Sequence, residues 1–233
     1  MIRLADDLKE EKSQSFSLSA DMYRSWGDWQ GNLLVEGFYT DLSDVFALTD
    51  LGVENGVLVI ERGNEEGAAV YGLTLEGKLA WRNVWQFQGG FTFQKAEYKK
   101  ARSWSEGDPN VPLEKRMFRT PDTYGYFTMT YNPIRPLTFA LSGTYTGSML
   151  VEHHSGYIAE NRTETTPHFM DVGLKVSYDF KLYKNIDLQI NAGVQNLFNS
   201  YQKNFDQGPK RDSGYIYGPG MPRSAFAGIR LSY

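Results

Sequence analysis

Residues 85–93, Trp-Gln-Phe-Gln-Gly-Gly-Phe-Thr-Phe, sort by parity: Trp85, Phe87, Gly89, Phe91 and Phe93 fall on one side, Gln86, Gln88, Gly90 and Thr92 on the other. Successive side chains of a strand point to opposite faces, so this stretch predicts a strand with aromatics on one surface and uncharged amides and hydroxyls on the other. A soluble sheet would carry Lys and Glu on its wet face. The pattern instead matches a β-barrel wall with lipid outside and a polar lumen inside.

The same alternation predicts strands over 16–24, 31–42, 69–81, 85–98, 124–131, 137–148, 170–178, 186–194 and 224–233. In the sixth, Leu137, Phe139, Leu141, Gly143 and Tyr145 oppose Thr138, Ala140, Ser142, Thr144 and Thr146. Leu33-Leu34 blurs the parity of the second, leaving its lipid face open, and 43–67 reads as a variable segment whose Val57-Leu58-Val59-Ile60 forms a small extra hairpin arm. Connections alternate: short at 26–28, 82–84, 132–136 and 181–185, long at 43–67, 99–122, 149–168 and 199–222. Short and long ends therefore segregate to opposite rims, as in outer-membrane barrels with tight periplasmic turns; a β-sandwich has no reason to do this.

With periplasmic short turns, Tyr233 ends at the periplasmic rim, and Trp81, Trp85, Tyr178 and Tyr233 read as that rim's aromatic girdle. About nine strands is an odd number, which places the N-terminus outside, whereas closed bacterial barrels use even counts. Two edges would also stay unpaired. The expectation is an all-β, transmembrane antiparallel barrel segment, residues 1–233 being the C-terminal portion of a larger barrel.

Composition sharpens the class. Aromatics are 15% of the 233 residues, natural for a wall with interfacial girdles. Mean hydropathy is −0.47, and no run approaches the roughly 20 apolar residues of a spanning helix, but half of every barrel strand is polar and escapes such a scan. A net charge of −4, with no Lys/Arg cluster interleaved with aromatics, excludes nucleic acid as a partner. The absence of Cys excludes disulfides, thiolate metal sites and cysteine nucleophiles. Residues 1–12 lack the apolar core of a signal peptide, so an exported protein starting here would be a mature form or a fragment. There is no P-loop, H-E-x-x-H, G-x-S-x-G or EF-hand loop, and we expect no enzyme, catalytic residue, metal or cofactor.

Ile190-Asn191-Ala192-Gly193-Val194-Gln195-Asn196-Leu197-Phe198-Asn199-Ser200-Tyr201 resembles the penultimate strand of TonB-dependent outer-membrane receptors, with its "V-x-N-L-F-N/D-x-x-Y" pattern. The ending Gly228-Ile229-Arg230-Leu231-Ser232-Tyr233 resembles the terminal signal read by the barrel-assembly machinery, through Gly228, Leu231 and Tyr233, although Phe226 stands where that signal has a polar residue. The stretch 67–77 resembles the family's "x-x-G-x-E-x-E" strand, and Arg119-Thr120-Pro121 its "R-x-P" entry to a strand. The resemblance implies a barrel of about 22 strands, of which this chain supplies the last nine or so, without the plug or the TonB-engaging motif. It implies import of a scarce, bulky ligand, an iron–siderophore above all, across the outer membrane of a Gram-negative bacterium. The implied partners are outer-membrane lipid and lipopolysaccharide, the remaining strands and plug of the same receptor, the TonB complex through that plug, and the assembly machinery. Two other readings stay open: a self-standing small outer-membrane barrel acting as adhesin or enzyme, and a soluble sugar-binding β-sandwich.

Candidate sites follow the two ends of the wall. Gln86, Gln88, Gln94, Thr144, Thr146, Gln189 and Asn191 are expected to face the lumen and plug; plain wall structure is the alternative. His153 and His154 lie in a long loop, where imidazole suits iron or another metal and solvated loop residues are the alternative. The last loop carries Lys203, Lys210, Arg211, Tyr215 and Tyr217, basic and aromatic groups suited to an anionic aromatic chelate such as a catecholate siderophore; lipopolysaccharide contact or loop packing is the alternative there.

Overall fold

The computed structural model describes residues 1–54, 56–105, 107–183 and 185–233. Among these, every regular element is a strand. In chain order they begin with β1 (Ile2–Leu4), β2 (Lys12–Trp26), β3 (Trp29–Ser43), β4 (Val45–Glu54) and β5 (Val57–Glu65). Next come β6 (Ala68–Trp81), β7 (Trp85–Arg102), β8 (Glu114–Arg116), β9 (Thr123–Ile134) and β10 (Leu137–Thr146). The last are β11 (Leu150–His153), β12 (Arg162–Thr165), β13 (Phe169–Tyr183), β14 (Ile186–Gln195) and β15 (Ser224–Ser232).

One antiparallel wall runs β2-β3-β6-β7-β9-β10-β13-β14-β15, the nine strands that parity predicts, each beside its predecessor. Among the described residues it does not close: β2 and β15 each pair on one side only. Three features go beyond the sequence reading, the first by enlarging the small hairpin arm expected at Val57–Ile60. The segment 43–67 is a full β4–β5 hairpin joined in parallel by β1; the loop 149–168 contains a β11–β12 hairpin; and β8 pairs with the far end of β7, which runs on to Arg102. These pairings carry little parity signal because they stand clear of the two-sided wall. Of the expected turns and loops, Asn55, Glu106 and Lys184 lie outside the described residues.

Register gives each face its chemistry, because directly paired residues share a face. Trp81 pairs with Trp85, Leu79 with Phe87, Leu75 with Phe91 and Leu73 with Phe93. On the opposite face Gln86 meets Thr130 and Gln88 meets Thr128. The Leu33-Leu34 ambiguity is resolved the same way: Leu33 pairs with Met22 and Gly77 on the apolar face, while Leu34 lies between Asp21 and Glu76 on the polar one.

No second layer covers the apolar face among the described residues. Leu18 is 82% exposed, Ile229 73% and Ile190 45%, and Phe87, Phe91 and Leu141 are half-buried only by their neighbours in the wall. The buried apolar cluster, Met149, Val151 and Tyr215, lies in the long connections. A water-soluble sheet cannot leave such a surface bare, since exposed apolar patches rarely exceed about 600 Å². Hydrocarbon removes that cost, which disposes of the sandwich reading.

At the short-turn rim a single register row joins Trp26, Trp29, Trp81, Trp85 and Tyr131 across five strands. The ring centroids of Trp29 lie 6.1 Å from Trp81 and 6.0 Å from Trp85. Trp26 thus ends a strand instead of sitting in the turn, which is Gly27-Asp28 with Gly27 at φ +58°. Farther along, the rim steps down from the level of Tyr131 to Ile134 and from that of Tyr178 to Tyr183, the stagger that tilted barrel strands require. Tyr178 packs on Phe180 at 4.6 Å, and Tyr233 projects beyond β15.

Aromatic rings lie over glycines of neighbouring strands. A Cβ at Gly90 would come 2.8 Å from the Tyr126 ring, and one at Gly193 2.5 Å from that of Phe226. Phe226 pairs with Gly193 on the polar face, which gives an apolar residue a packing role where the terminal signal has a polar one.

Candidate functional site

The seven expected lumen residues all fall on the polar face by register. Gln88 Nε2 donates to Tyr126 Oη at 3.3 Å, Gln94 Nε2 to the Pro121 carbonyl at 2.9 Å, and Gln189 Nε2 to Asp179 at 2.8 Å. Thr144 and Thr146 pair with Asp171 and Phe169, Asn191 lies beside Gly228, and Gln86 is exposed. Several of these groups are thus satisfied by the wall itself. Leu231 points to the apolar face opposite Leu188.

The long connections 103–122, 147–168 and 196–223 converge at the opposite end. Each root is fixed locally. At the last one, Asn196 and Asn199 take left-handed backbone angles, φ +50° and +53°, which Asn tolerates better than most residues. The buried Asn196 side chain accepts from Ser200 N at 2.8 Å and donates to the carbonyls of Ser200 at 3.2 Å and Met221 at 3.0 Å, while Asn199 Oδ1 accepts from Arg223 N at 3.0 Å. The Asn-Leu-Phe-Asn motif therefore clamps both ends of the last loop together. Gln202, buried, donates to the Tyr215 carbonyl at 3.0 Å and accepts from Tyr217 N at 2.8 Å.

His153 lies at the centre, 3% exposed, its ring stacked on Tyr215 with centroids 3.5 Å apart. Nδ1 is 2.8 Å from Glu164 Oε1, and Nε2 is 3.0 Å from Asp206 Oδ1. Tyr215 Oη donates to Glu164 Oε2 at 2.7 Å, and Arg162 adds an ion pair to Glu164 at 2.7 Å. Burial opposes ionisation of Glu164, but the Tyr215 and His153 hydrogen bonds and the Arg162 charge outweigh it and hold its pKa below the usual value. Burial and the Glu164 contact push the Tyr215 phenol well above its ordinary pKa. Burial likewise opposes ionisation of Asp212, and backbone N–H groups of His154 and Gly214 lower its pKa on balance.

Arg119, itself left-handed at φ +56°, joins all three connections. Its guanidinium donates to the carbonyls of Gly214 at 2.7 Å and Ile216 at 3.1 Å and reaches Glu152 at 3.5 Å, while its backbone N donates to Leu150 O at 2.7 Å.

The adjacent histidines diverge. His153 is inside with both ring nitrogens engaged, and His154 is exposed with its ring 4.6 Å from Trp104. Tyr215 is 2% exposed, so it supports the loop from within. Tyr217, half-buried, donates to Asn204 Oδ1 at 2.6 Å. Lys203, Lys210 and Arg211 stay exposed, Lys203 Nζ lying 5.4 Å from the Tyr201 ring centroid. The sequence thus marks the basic edge but not its scaffold of Arg119, Glu164, Asn196, Gln202 and Asp206. Arg119 and Asn196 stand inside recognised motifs, and that was the signal available; the other three belong to no pattern.

These features define a segment of two-sided antiparallel β-wall with a prepacked set of long connections at one end. A sequence profile described as TonB dependent receptor-like, β-barrel matches residues 3–197, and the chain belongs to that family. Comparison with curated proteins gave no match. Among solved structures, the ferric-catecholate import receptor Fiu from K12 E. coli is 21% identical, with TM-score 0.65, over 98% of this chain and 28% of that one. A mutant of the ferric enterobactin receptor PfeA from Pseudomonas aeruginosa is 18% identical with TM-score 0.62, over 97% and 32%. The FrpB iron transporter from Neisseria meningitidis is 16% identical with TM-score 0.60, over 98% and 32%. This chain therefore spans about a third or less of the proteins it matches. At these identities the likeness establishes the fold.

Proposed function

We propose that this chain is the C-terminal part of the barrel of an outer-membrane receptor that imports an iron–siderophore complex, with its short turns in the periplasm and its interlocked loops outside. The family match over residues 3–197 carries the reading. The matched structures, a ferric-catecholate import receptor, a ferric enterobactin receptor and an iron transporter, support the ligand class. In this reading the free edges of β2 and β15 pair with the remaining strands of the same barrel, and the polar face receives a plug through which TonB acts. Gly228, Leu231 and Tyr233 serve the assembly machinery.

Lys203, Lys210 and Arg211 form the exposed cationic edge that meets an anionic, aromatic chelate. His153 and Tyr215 hold that edge in place from beneath. The test is titration of the purified intact receptor with a ferric tricatecholate, followed by quenching of intrinsic fluorescence, against a neutral ferric hydroxamate. The catecholate should bind the more tightly, and Lys203→Gln and Arg211→Gln should each weaken it about fivefold, the value of one exposed charge contact. Equal affinity for both chelates, unmoved by either substitution, would overturn the ligand assignment.

A further inference from the structure

Away from the loops, the apolar face carries a depression of about 850 Å³. Phe16 and Leu18 wall one side, Leu73 and Phe93 the other, and Gly37 lies between them. No atom lies within 4 Å of where a Gly37 Cβ would stand, so the floor is open. At its outer end one register row runs Phe16, Tyr39, Tyr71, Lys95, with the two tyrosine rings stacked at 6.3 Å.

Lys95 has the parity of the apolar face, is exposed, and has no hydrogen-bond or ion-pair partner among the described residues. The acid lining the depression, Asp122, is paired with Arg116 at 3.0 Å, and Glu97, two positions on along the same face, lies outside the lining, so the unpaired charge within it is that of Lys95. Its height has a physical meaning. From Trp85 to Lys95 along β7 the chain rises about 33 Å, and a strand tilt near 40° converts this to about 25 Å along the membrane normal. That is the height of the apolar band of an outer-membrane barrel, with the tryptophan row at one boundary and Lys95 at the other, beside tyrosines that suit an interface.

We propose that this groove is a lipid site: one acyl chain of a phosphorylated outer-leaflet lipid lies against Gly37, and its phosphate meets Lys95. The groove lies within the hydrocarbon band, so its occupant must be apolar along its length, and an unpaired ammonium at the headgroup level selects an anionic end. A side chain at position 37 would fill the space the lipid uses. The proposal rests on the membrane placement above.

The test is native mass spectrometry of the intact receptor released from detergent after incubation with lipid A, with phosphatidylcholine for comparison. Wild type should retain lipid A over phosphatidylcholine. Lys95→Gln should lower that retention about fivefold, the factor one lysine contributes toward an anionic lipid, and Lys95→Arg should preserve it. Gly37→Leu should abolish retention whatever the headgroup, with Gly37→Ala as the milder filling if the leucine variant does not assemble. Equal retention of lipid A by wild type, Lys95→Gln and the Gly37 variants would overturn the site. A receptor soluble without detergent and carrying no lipid would overturn the membrane placement itself, a distinguishable result.

Discussion

Replacing Arg119 separates its two contributions to the loop scaffold. Arg119→Ala removes the guanidinium bonds to the Gly214 and Ile216 carbonyls while leaving a Cβ at φ +56°. Hydrogen bonds from a charged donor contribute about 1.5–3 kcal/mol each, but this side chain is partly exposed, so water replaces some of that and the loss should total about 2 kcal/mol. Arg119→Gly loses the same bonds yet relieves a left-handed backbone that costs a non-glycine residue about 1–2 kcal/mol. Glycine should therefore be less destabilising than alanine, the reverse of their order in ordinary helix or strand interiors. Hydrogen exchange of the Tyr215 and Ile216 amides, bonded to Asp212 and Gly214 carbonyls, reads local opening directly. Alanine should speed it roughly thirtyfold and glycine clearly less, since about 1.4 kcal/mol is tenfold. Unchanged exchange in Arg119→Ala would show that the Arg119 side chain does not join these loops, and a glycine variant that opens more than alanine would show that its left-handed backbone carries no strain to relieve.

Three further outcomes follow from the same geometry. His153→Ala leaves Glu164 and Asp206 facing an empty buried site and should cost about 3 kcal/mol, read as protease cleavage within 196–223 while the wall stays intact. The loop ties should weaken at both pH extremes. Glu164 and Asp212, with lowered folded values, give support that is present above their ordinary values of 4.5 and 3.8 and lost as pH falls through the folded ones. Tyr215, with a raised value, gives support that is full below 10.0 and lost as pH rises through its folded pKa; intrinsic tyrosine and tryptophan fluorescence against pH should show a plateau between those limits. Finally, Gly193→Ala places a methyl 2.5 Å from the Leu174 carbonyl and the Phe226 ring and should lower the yield of heat-modifiable folded protein, whereas Gly37→Ala, with nothing within 4 Å, should assemble as wild type.

Strand existence, order and sidedness were legible in the chain because a two-sided wall between lipid and water writes its environment into every second residue. Trp85 to Phe93 shows it most clearly, and the alternation of short and long connections gave the two rims. Where both sides of a segment meet the same surroundings, that record fades, and so the chain hinted at the β4–β5 arm only through Val57–Ile60, while its full length, its parallel partner β1 and the β11–β12 hairpin were visible only in three dimensions. The loop chemistry divides likewise. Composition marks Lys203, Lys210, Arg211, His153 and Tyr215 as one class of polar and aromatic residues, but only folding sends His153 and Tyr215 inward to Glu164 and Asp206 and leaves the cations outside. Burial of a loop residue depends on partners tens of positions away, such as Glu164 for Tyr215 and Asp206 for His153, and no local period encodes those distances.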